Sequence, residues 1–361
     1  MDPLTQIRIT RELIDIDSTT GREGEAGEFI ARLLEGLGYE VTRQPVSDGR
    51  FNVFARPSVG PYVGRTGLGS AEIVGPAEES RTTPRSALHV VLSTHFDCVP
   101  PFFPSREEHG RLHGRGACDA KGTLVAQVAA AQRMRAAGRS DVGLLFVVGE
   151  ERGSDGARAA NGLAAGSRFL INGEPTDNRL AAATRGVYRV RLLASGRAAH
   201  SSRPDLGESA IDTLIDALVA LRAVGWPSDP LLGEAFYTTG LISGGVAPNV
   251  ISPHAEAELM FRTVGDDADL RRLIDDAVGG RVEVEDILTV PPVRLVVPEG
   301  FEGEVFSFTT DIPFLDRWGE PLLVGPGSVT VAHTDHEHVE IETLRRATDI
   351  YTDLAAALLE R

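Results

Sequence analysis

Two adjacent carboxylates, Glu150 and Glu151, follow the apolar run 143–148 and a glycine, Gly149. That run is short, branched and bounded by Gly, as a fully buried strand is. A strand that ends in Gly-Glu-Glu delivers two acids to a sheet edge, where open α/β folds place their sites. Successive residues of an extended chain point opposite ways, so the spacing predicts two jobs, one acid on a metal and the other facing a reacting atom. Taken alone, the pair also reads as a solvated acidic turn. His95 and Asp97 end another apolar segment, 88–93, and at i and i+2 share one face. That suits a metal-bound imidazole beside an orienting carboxylate, or a hydrogen-bonded surface pair. Asp119 sits where a Gly-rich loop enters an Ala-rich helix running to about Ala137. It reads as an N-cap or as a carboxylate whose two oxygens bridge two cations. Glu174 follows the strand expected at 168–172. Four successive strand–helix units thus bring His95, Asp119, Glu150, Glu151 and Glu174 to loops, a recurrence that solvated turns do not explain.

The elements that must position these residues are legible in outline. Ala26, Phe29, Ile30, Leu33, Leu34 and Leu37 recur at helical spacing, with Gly38 as the stop. Segments 39–42 and 51–55 read as strands. Residues 57–86 repeat Gly, Pro, Ser and Thr without periodicity and predict a long surface loop. Character changes near Asn178. Residues 186–195 alternate as a half-exposed strand does, 209–224 is an amphipathic helix, 236–242 and 256–262 are strands, 268–278 is a helix and 282–288 a strand. This β-α-β-β-α-β order predicts a small ferredoxin-like domain inserted into an α/β domain. The expected division is 1–178 and 290–361 for the first domain and 179–289 for the insert. A terminal helix is expected over about 342–359.

The stretches Thr94-His-Phe-Asp97, Gly114-Arg-Gly-Ala-Cys-Asp119, Gly149-Glu-Glu151, Gly173-Glu-Pro-Thr176, Gly325-Pro-Gly327 and Ala332-His333 occur in one order over nearly the whole chain. The insert adds Ala199-His-Ser-Ser202, Gly244-Gly-Val-Ala-Pro-Asn249 and Arg262. Together they resemble the zinc aminoacylase/carboxypeptidase superfamily, with the nearest likeness to acetylornithine deacetylase and succinyl-diaminopimelate desuccinylase. The resemblance implies a mixed-sheet catalytic domain with an inserted lid and dimerisation domain. It implies two Zn2+ per subunit (Co2+ or Mn2+ being alternatives) held by His95, Asp119, Glu151, Glu174 and His333. Asp119 would bridge, His95 and Glu174 would complete one pole, and Glu151 and His333 the other. Glu150 would be the general base and acid toward metal-activated water, and Asp97 would support the ligands. His200 would reach across a homodimer to an oxyanion, Asn249 would contact it or the substrate carbonyl, and Arg262 would clamp a substrate carboxylate. A cis peptide is expected between Asp119 and Ala120. The ending departs from the deacetylase pattern. It reads His333-Thr-Asp-His-Glu337-His338, a form that also resembles relatives releasing lysine from an amino-group carrier protein.

Composition narrows the class. At 361 residues the chain exceeds the usual single core. A net charge of −16 argues against nucleic acid and anionic membranes as partners. No apolar run reaches the length of a membrane span, and residues 1–10 lack the basic and apolar regions of a signal peptide. Two cysteines, Cys98 and Cys118, make no disulfide framework, so a cytoplasmic setting is expected. The resulting expectation is a metal-dependent hydrolase removing an N-acyl group from an amino acid. A dipeptidase or carboxypeptidase, a carrier-linked lysine or ornithine hydrolase, or a non-catalytic metal-binding scaffold are the alternatives. No Gly-x-Gly-x-x-Gly phosphate loop is present to favour a nucleotide-binding protein.

Overall fold

Short runs of branched apolar residues build a six-stranded sheet in the first of two compact units. The computed structural model describes residues 1–58, 87–164 and 166–361. From position 59 on, the loop expected at 57–86 lies outside the described residues. The first unit comprises Met1–Ala181, Val296–Glu302 and Phe314–Arg361. Its sheet runs Tyr39–Ser47, Arg50–Pro57, Val142–Val147, Val90–His95, Phe169–Asn172, Glu320–Leu323. The first two strands form an antiparallel hairpin joined antiparallel to Val142–Val147, and the remaining pairings are parallel.

Alternation divides each central strand between two layers. Val90, Leu92, Leu144 and Phe146 are buried with Ile30 and Leu34 of the helix Gly24–Gly36, Leu124 and Val128 of Lys121–Ala136, and Tyr351 and Leu354 of Ile341–Leu359. Val91, Leu145 and Val147 face the opposite layer, which holds Leu315 and Trp318. Both faces are therefore dry, which explains strands that read as unbroken apolar runs. The helix Pro3–Ile14 was not anticipated, although its start signal stands in the sequence. The Asp2 side chain accepts the Leu4 and Thr5 N–H groups, and Pro3 occupies the first turn.

The second unit comprises Ala182–Leu295 and Gly303–Pro313. Its four-stranded antiparallel sheet runs Phe236–Gly244, His254–Thr263, Gly186–Ser195, Glu283–Val290. The helices Ala210–Arg222 and Asp267–Val278 share one core with this sheet, through Leu214, Leu221, Leu270 and Ile274 against Val190, Leu192, Leu259 and Phe261. The strand and helix order is the β-α-β-β-α-β one. Residues 303–313 fall in this unit, a difference from the expected division, which places 290–361 with the first. The cause is backbone pairing, since Gly303–Phe306 joins a three-stranded sheet with Leu180–Thr184 and Val293–Arg294.

Phe261 is the hub of this second core, with ring centroids of Tyr237 and Trp226 at 5.0 and 5.1 Å. Truncating it leaves a cavity that the sheet closes only in part. Phe261→Ala should cost about 3–5 kcal/mol. Hydrogen exchange should read this as faster exchange over Gly186–Ser195 and His254–Thr263 with Val142–Val147 unchanged. Equal acceleration in both sheets would show that the two units unfold as one.

Candidate metal centre

Val90–His95, Val142–Val147 and Phe169–Asn172 run parallel, so their carboxyl ends open at one edge of the sheet, where α/β folds gather their sites. His95 is the last residue of its strand, and Glu174 stands two residues beyond Asn172. Between Val147 and the two glutamates the chain turns at Gly149, whose φ is +77°. A Cβ there would lie 1.8 Å from Asp155 Oδ1, so only glycine fits. Glu150 and Glu151 then occupy one 3-10 turn, Glu150–Arg152, instead of an extended segment. The two acids therefore do not alternate along a strand, which corrects the sequence expectation.

Asp119 does not cap the helix it precedes. The cap position of Lys121–Ala136 is Ala120, with no side-chain cap bond, and the Asp119–Ala120 peptide is cis. Instead Asp119 Oδ1 lies 2.9 Å from His95 Nε2, and Oδ2 lies 3.1 Å from His333 Nε2. His95 Nε2 is also 3.8 Å from Glu174 Oε2, and His333 Nε2 is 3.1 Å from Glu151 Oε1. The five residues form two poles, His95 with Glu174 and His333 with Glu151, which share the one carboxylate of Asp119. Ligand atoms of His95, Asp119 and Glu151 all fall within 4.8 Å of one another.

A second ring of contacts orients these groups. The His95 Nδ1–H donates to the Asp97 carbonyl at 3.0 Å, which aims Nε2 at Asp119. The buried Asp97 carboxylate accepts the N–H groups of Glu150 and Glu151 at 3.1 and 3.3 Å and the Thr20 hydroxyl at 2.9 Å. It therefore fixes the turn that carries both acids. Glu337 accepts the N–H groups of Cys118 and Asp119, each at 3.2 Å. Arg115 donates to Glu337 at 2.6 Å. Thr20, Arg115 and Glu337 were not assigned roles from sequence, because backbone-directed contacts leave no spacing signal. Cys118 is buried beside Asp119, and its thiol, pushed well up by burial, points to the Ser328 carbonyl at 3.4 Å. It is a packed thiol rather than a ligand.

Three carboxylates and two imidazoles with this geometry suit a divalent cation. Burial opposes charge on His95, but Glu174, Asp119 and Asp97 outweigh it and raise the imidazole well above its ordinary value. Hydrogen bonds donated to Asp119 and Glu151 raise His333 to about 10. Burial would raise Asp119, yet its bonds to His333 and His95 hold it below the usual carboxylate range. Burial, aided by the charge of Asp119, pushes Glu151 up. The raised values of His95, His333 and Glu151 record acid crowded together, which bound cations would relieve. Imidazole with carboxylate oxygen is a donor set that zinc, cobalt and manganese accept.

His200, Asn249 and Arg262 lie in the second unit. The Ser201 N–H donates to the Asn249 carbonyl at 2.9 Å and His200 bridges Val250, so His200 and Asn249 are brought side by side. Arg262 lies on His254–Thr263 opposite Phe236 and Val187. It is partly buried, and among the described residues no carboxylate pairs with it. Desolvation alone lowers its pKa.

Comparison with known proteins fits this architecture. The model of peptidase family M20/M25/M40 matches residues 91–357. A probable carboxypeptidase of Aspergillus clavatus is 34% identical over 393 residues, covering 97% of this chain and 82% of the relative. The fold is shared with aminopeptidase PepT of Bacillus cereus, at a TM-score of 0.78 and 16% identity over 99% of each chain. It is shared too with the Bacillus subtilis YXEP protein, described as a dinuclear metal-binding peptidase, at a TM-score of 0.69 and 16% identity over 99% of this chain and 98% of that one.

Metal ligation needs neutral imidazole, so a cation held by His95 and His333 would displace the protons that their carboxylate partners favour. Zinc titration of chelated protein at pH 7 should release protons, read as heat that depends on the buffer's ionisation enthalpy. The share from His333 should vanish as pH rises through about 10. In chelated protein the raised His333 contributes stability that is full below the unfolded imidazole pKa of about 6.5 and lost as pH climbs through about 10. Buffer-independent heats at pH 7 would contradict this assignment.

Proposed function

This chain belongs to peptidase family M20/M25/M40, and on that premise we propose that it hydrolyses amide bonds whose amine side carries a free carboxylate. It is a metal-dependent amide and peptide hydrolase. The finer reading takes the C-terminal peptide bond of dipeptides and short peptides as first substrate, with N-acyl amino acids as the same chemistry on a smaller acyl group. The observation that carries it is the shared Asp119 carboxylate between two imidazole poles, with Glu150 on the same turn as Glu151. The names of the fungal relatives favour a carboxypeptidase. An acetylornithine-type deacylase is the narrower case of the same reaction, resting on sequence likeness alone.

His95, Asp119, Glu151, Glu174 and His333 would hold two zinc ions, or cobalt or manganese in their place. Such a pair polarises a carbonyl and brings water near its ionisation point at neutral pH. Glu150 takes the proton of the attacking water as its oxygen bonds to the carbonyl carbon. The same carboxyl then passes that proton to the departing nitrogen as the C–N bond breaks, leaving an acid and a free amine. Asp97 keeps Glu150 in register through its backbone N–H. Arg262, a partly buried guanidinium with no carboxylate partner among the described residues, supports a substrate carboxylate as its counter-ion. His200 and Asn249 are assigned to the developing oxyanion and the carbonyl. The closing assay measures amine release from dipeptides, longer peptides and N-acetyl and N-succinyl amino acids. Glu150→Gln should retain metal while losing at least about 10²-fold in kcat. Methyl esters of the substrate carboxylate should turn over poorly, and Arg262→Gln should erase that preference through KM. Equal turnover of esters and acids would remove the carboxylate from the reading.

The expected homodimer has physical support in the second unit. Phe236–Gly244 is an edge strand, with Leu241 and Ile242 each 62% exposed, and Ile215 and Val219 of the helix Ala210–Arg222 are exposed as well. A long apolar edge invites pairing with an identical strand, and a second copy is the occupant proposed. Leu241→Asp with Ile215→Asp should halve the mass seen by light scattering without unfolding. A wild-type monomer at micromolar concentration would sink the dimer.

A further inference from the structure

Arg115 and Glu337 form an ion pair sealed inside the first unit, with 2% and 0% of their surfaces exposed. Arg115 stacks on the Phe103 ring at 4.9 Å and donates to the Pro101 carbonyl at 3.2 Å. Glu337 has one oxygen on Arg115 and gives the other to two backbone N–H groups, those of Cys118 and Asp119. Its own carbonyl accepts the Gly114 N–H at 3.1 Å. A buried charge is retained only where partners of this quality surround it, and the groups that bond Glu337 itself all belong to the segment 114–119, which ends in the shared carboxylate.

The same short loop carries His333, four residues earlier. His333 adopts φ +64°, a left-handed conformation that a non-glycine residue keeps only when its surroundings impose it. Its side chain is half exposed, so packing alone does not hold it. The loop thus grips Asp119 from two sides, through the His333 imidazole on Oδ2 and through Glu337 on the backbone N–H. The other pole is built differently. His95 ends Val90–His95, which pairs directly with Phe169–Asn172, the strand leading to Glu174.

We propose that Glu337 is a positioning residue that ties the C-terminal ligand loop to the bridging aspartate, so that the His333–Glu151 pole depends on it and the His95–Glu174 pole does not. The inference rests on the two-metal reading above. Loss of the Glu337 charge frees the loop and lets His333 leave the geometry a cation needs, while the strand-borne pole stays in place. Outer contacts of this kind are worth roughly 10–100-fold in metal affinity.

Zinc affinity measured by competition with a chromophoric chelator tests it, on wild type and Glu337→Gln. The expected result is two sites in both, with one weakened by about 10–100-fold and the other within about twofold of wild type. A merely structural role would lower thermal stability without splitting the two affinities. If Glu337→Gln does not fold, Arg115→Met/Glu337→Gln removes the guanidinium left unpaired and is measured instead. Equal weakening of both sites, unchanged affinities, or failure of both variants to fold each overturns the inference. Wild type that binds fewer than two ions overturns the two-metal reading itself, which the variants do not address.

Discussion

Carboxylates repel, and this fold holds three of them against one another where little water reaches to soften the repulsion. Asp119, Glu151 and Glu174 can share such a space only if positive charge stands between them. The two imidazoles supply part of it, and their raised pKa values are the mark of that demand. Divalent cations would supply it more fully, because each offers two charges at the point where the oxygens converge. The rest of the first unit can be understood as apparatus for keeping this arrangement from relaxing.

Rigid elements carry most of that load. Three parallel strands end at one edge and fix His95 directly, while the glutamates follow within a few residues. Close backbone approaches do the remainder. Gly325 lies so near the Glu174 backbone that a Cβ would meet its carbonyl oxygen at 2.4 Å. Asp97 shows how a buried carboxylate can act on others without touching a reactant. It accepts two successive N–H groups and thereby sets a whole turn. Such bonds to charged acceptors are stronger than neutral ones, and these two act on the backbone of the turn that carries Glu150 and Glu151.

The second unit solves a different problem. Its sheet has one face covered by two helices and an edge strand rich in exposed apolar residues. Arg262 is partly desolvated with no carboxylate beside it among the described residues, and burying a cation in that way carries a cost. Features that weaken a domain in isolation are commonly those that serve binding.

Much was legible in the chain alone. Hydrophobic period identified the central strands and most long helices, since burial on one or both faces writes itself into spacing. Recurrence of His or acid after a strand singled out His95, Glu150, Glu151 and Glu174, because the carboxyl ends of parallel strands come together whatever the details, and Asp119 was singled out by its place before a helix. His333 and the residues of the insert came from likeness to a family and not from any pattern of their own. Tertiary structure alone decided how Asp119 divides its two oxygens, that Glu150 and Glu151 share a turn, that residues 303–313 pair with the second unit, and that Glu337 reaches Asp119 across 218 positions. The reason is common to all four. Each depends on where a backbone N–H or a single oxygen points once distant segments meet, and residue type encodes what a group can bond but not which group it will find.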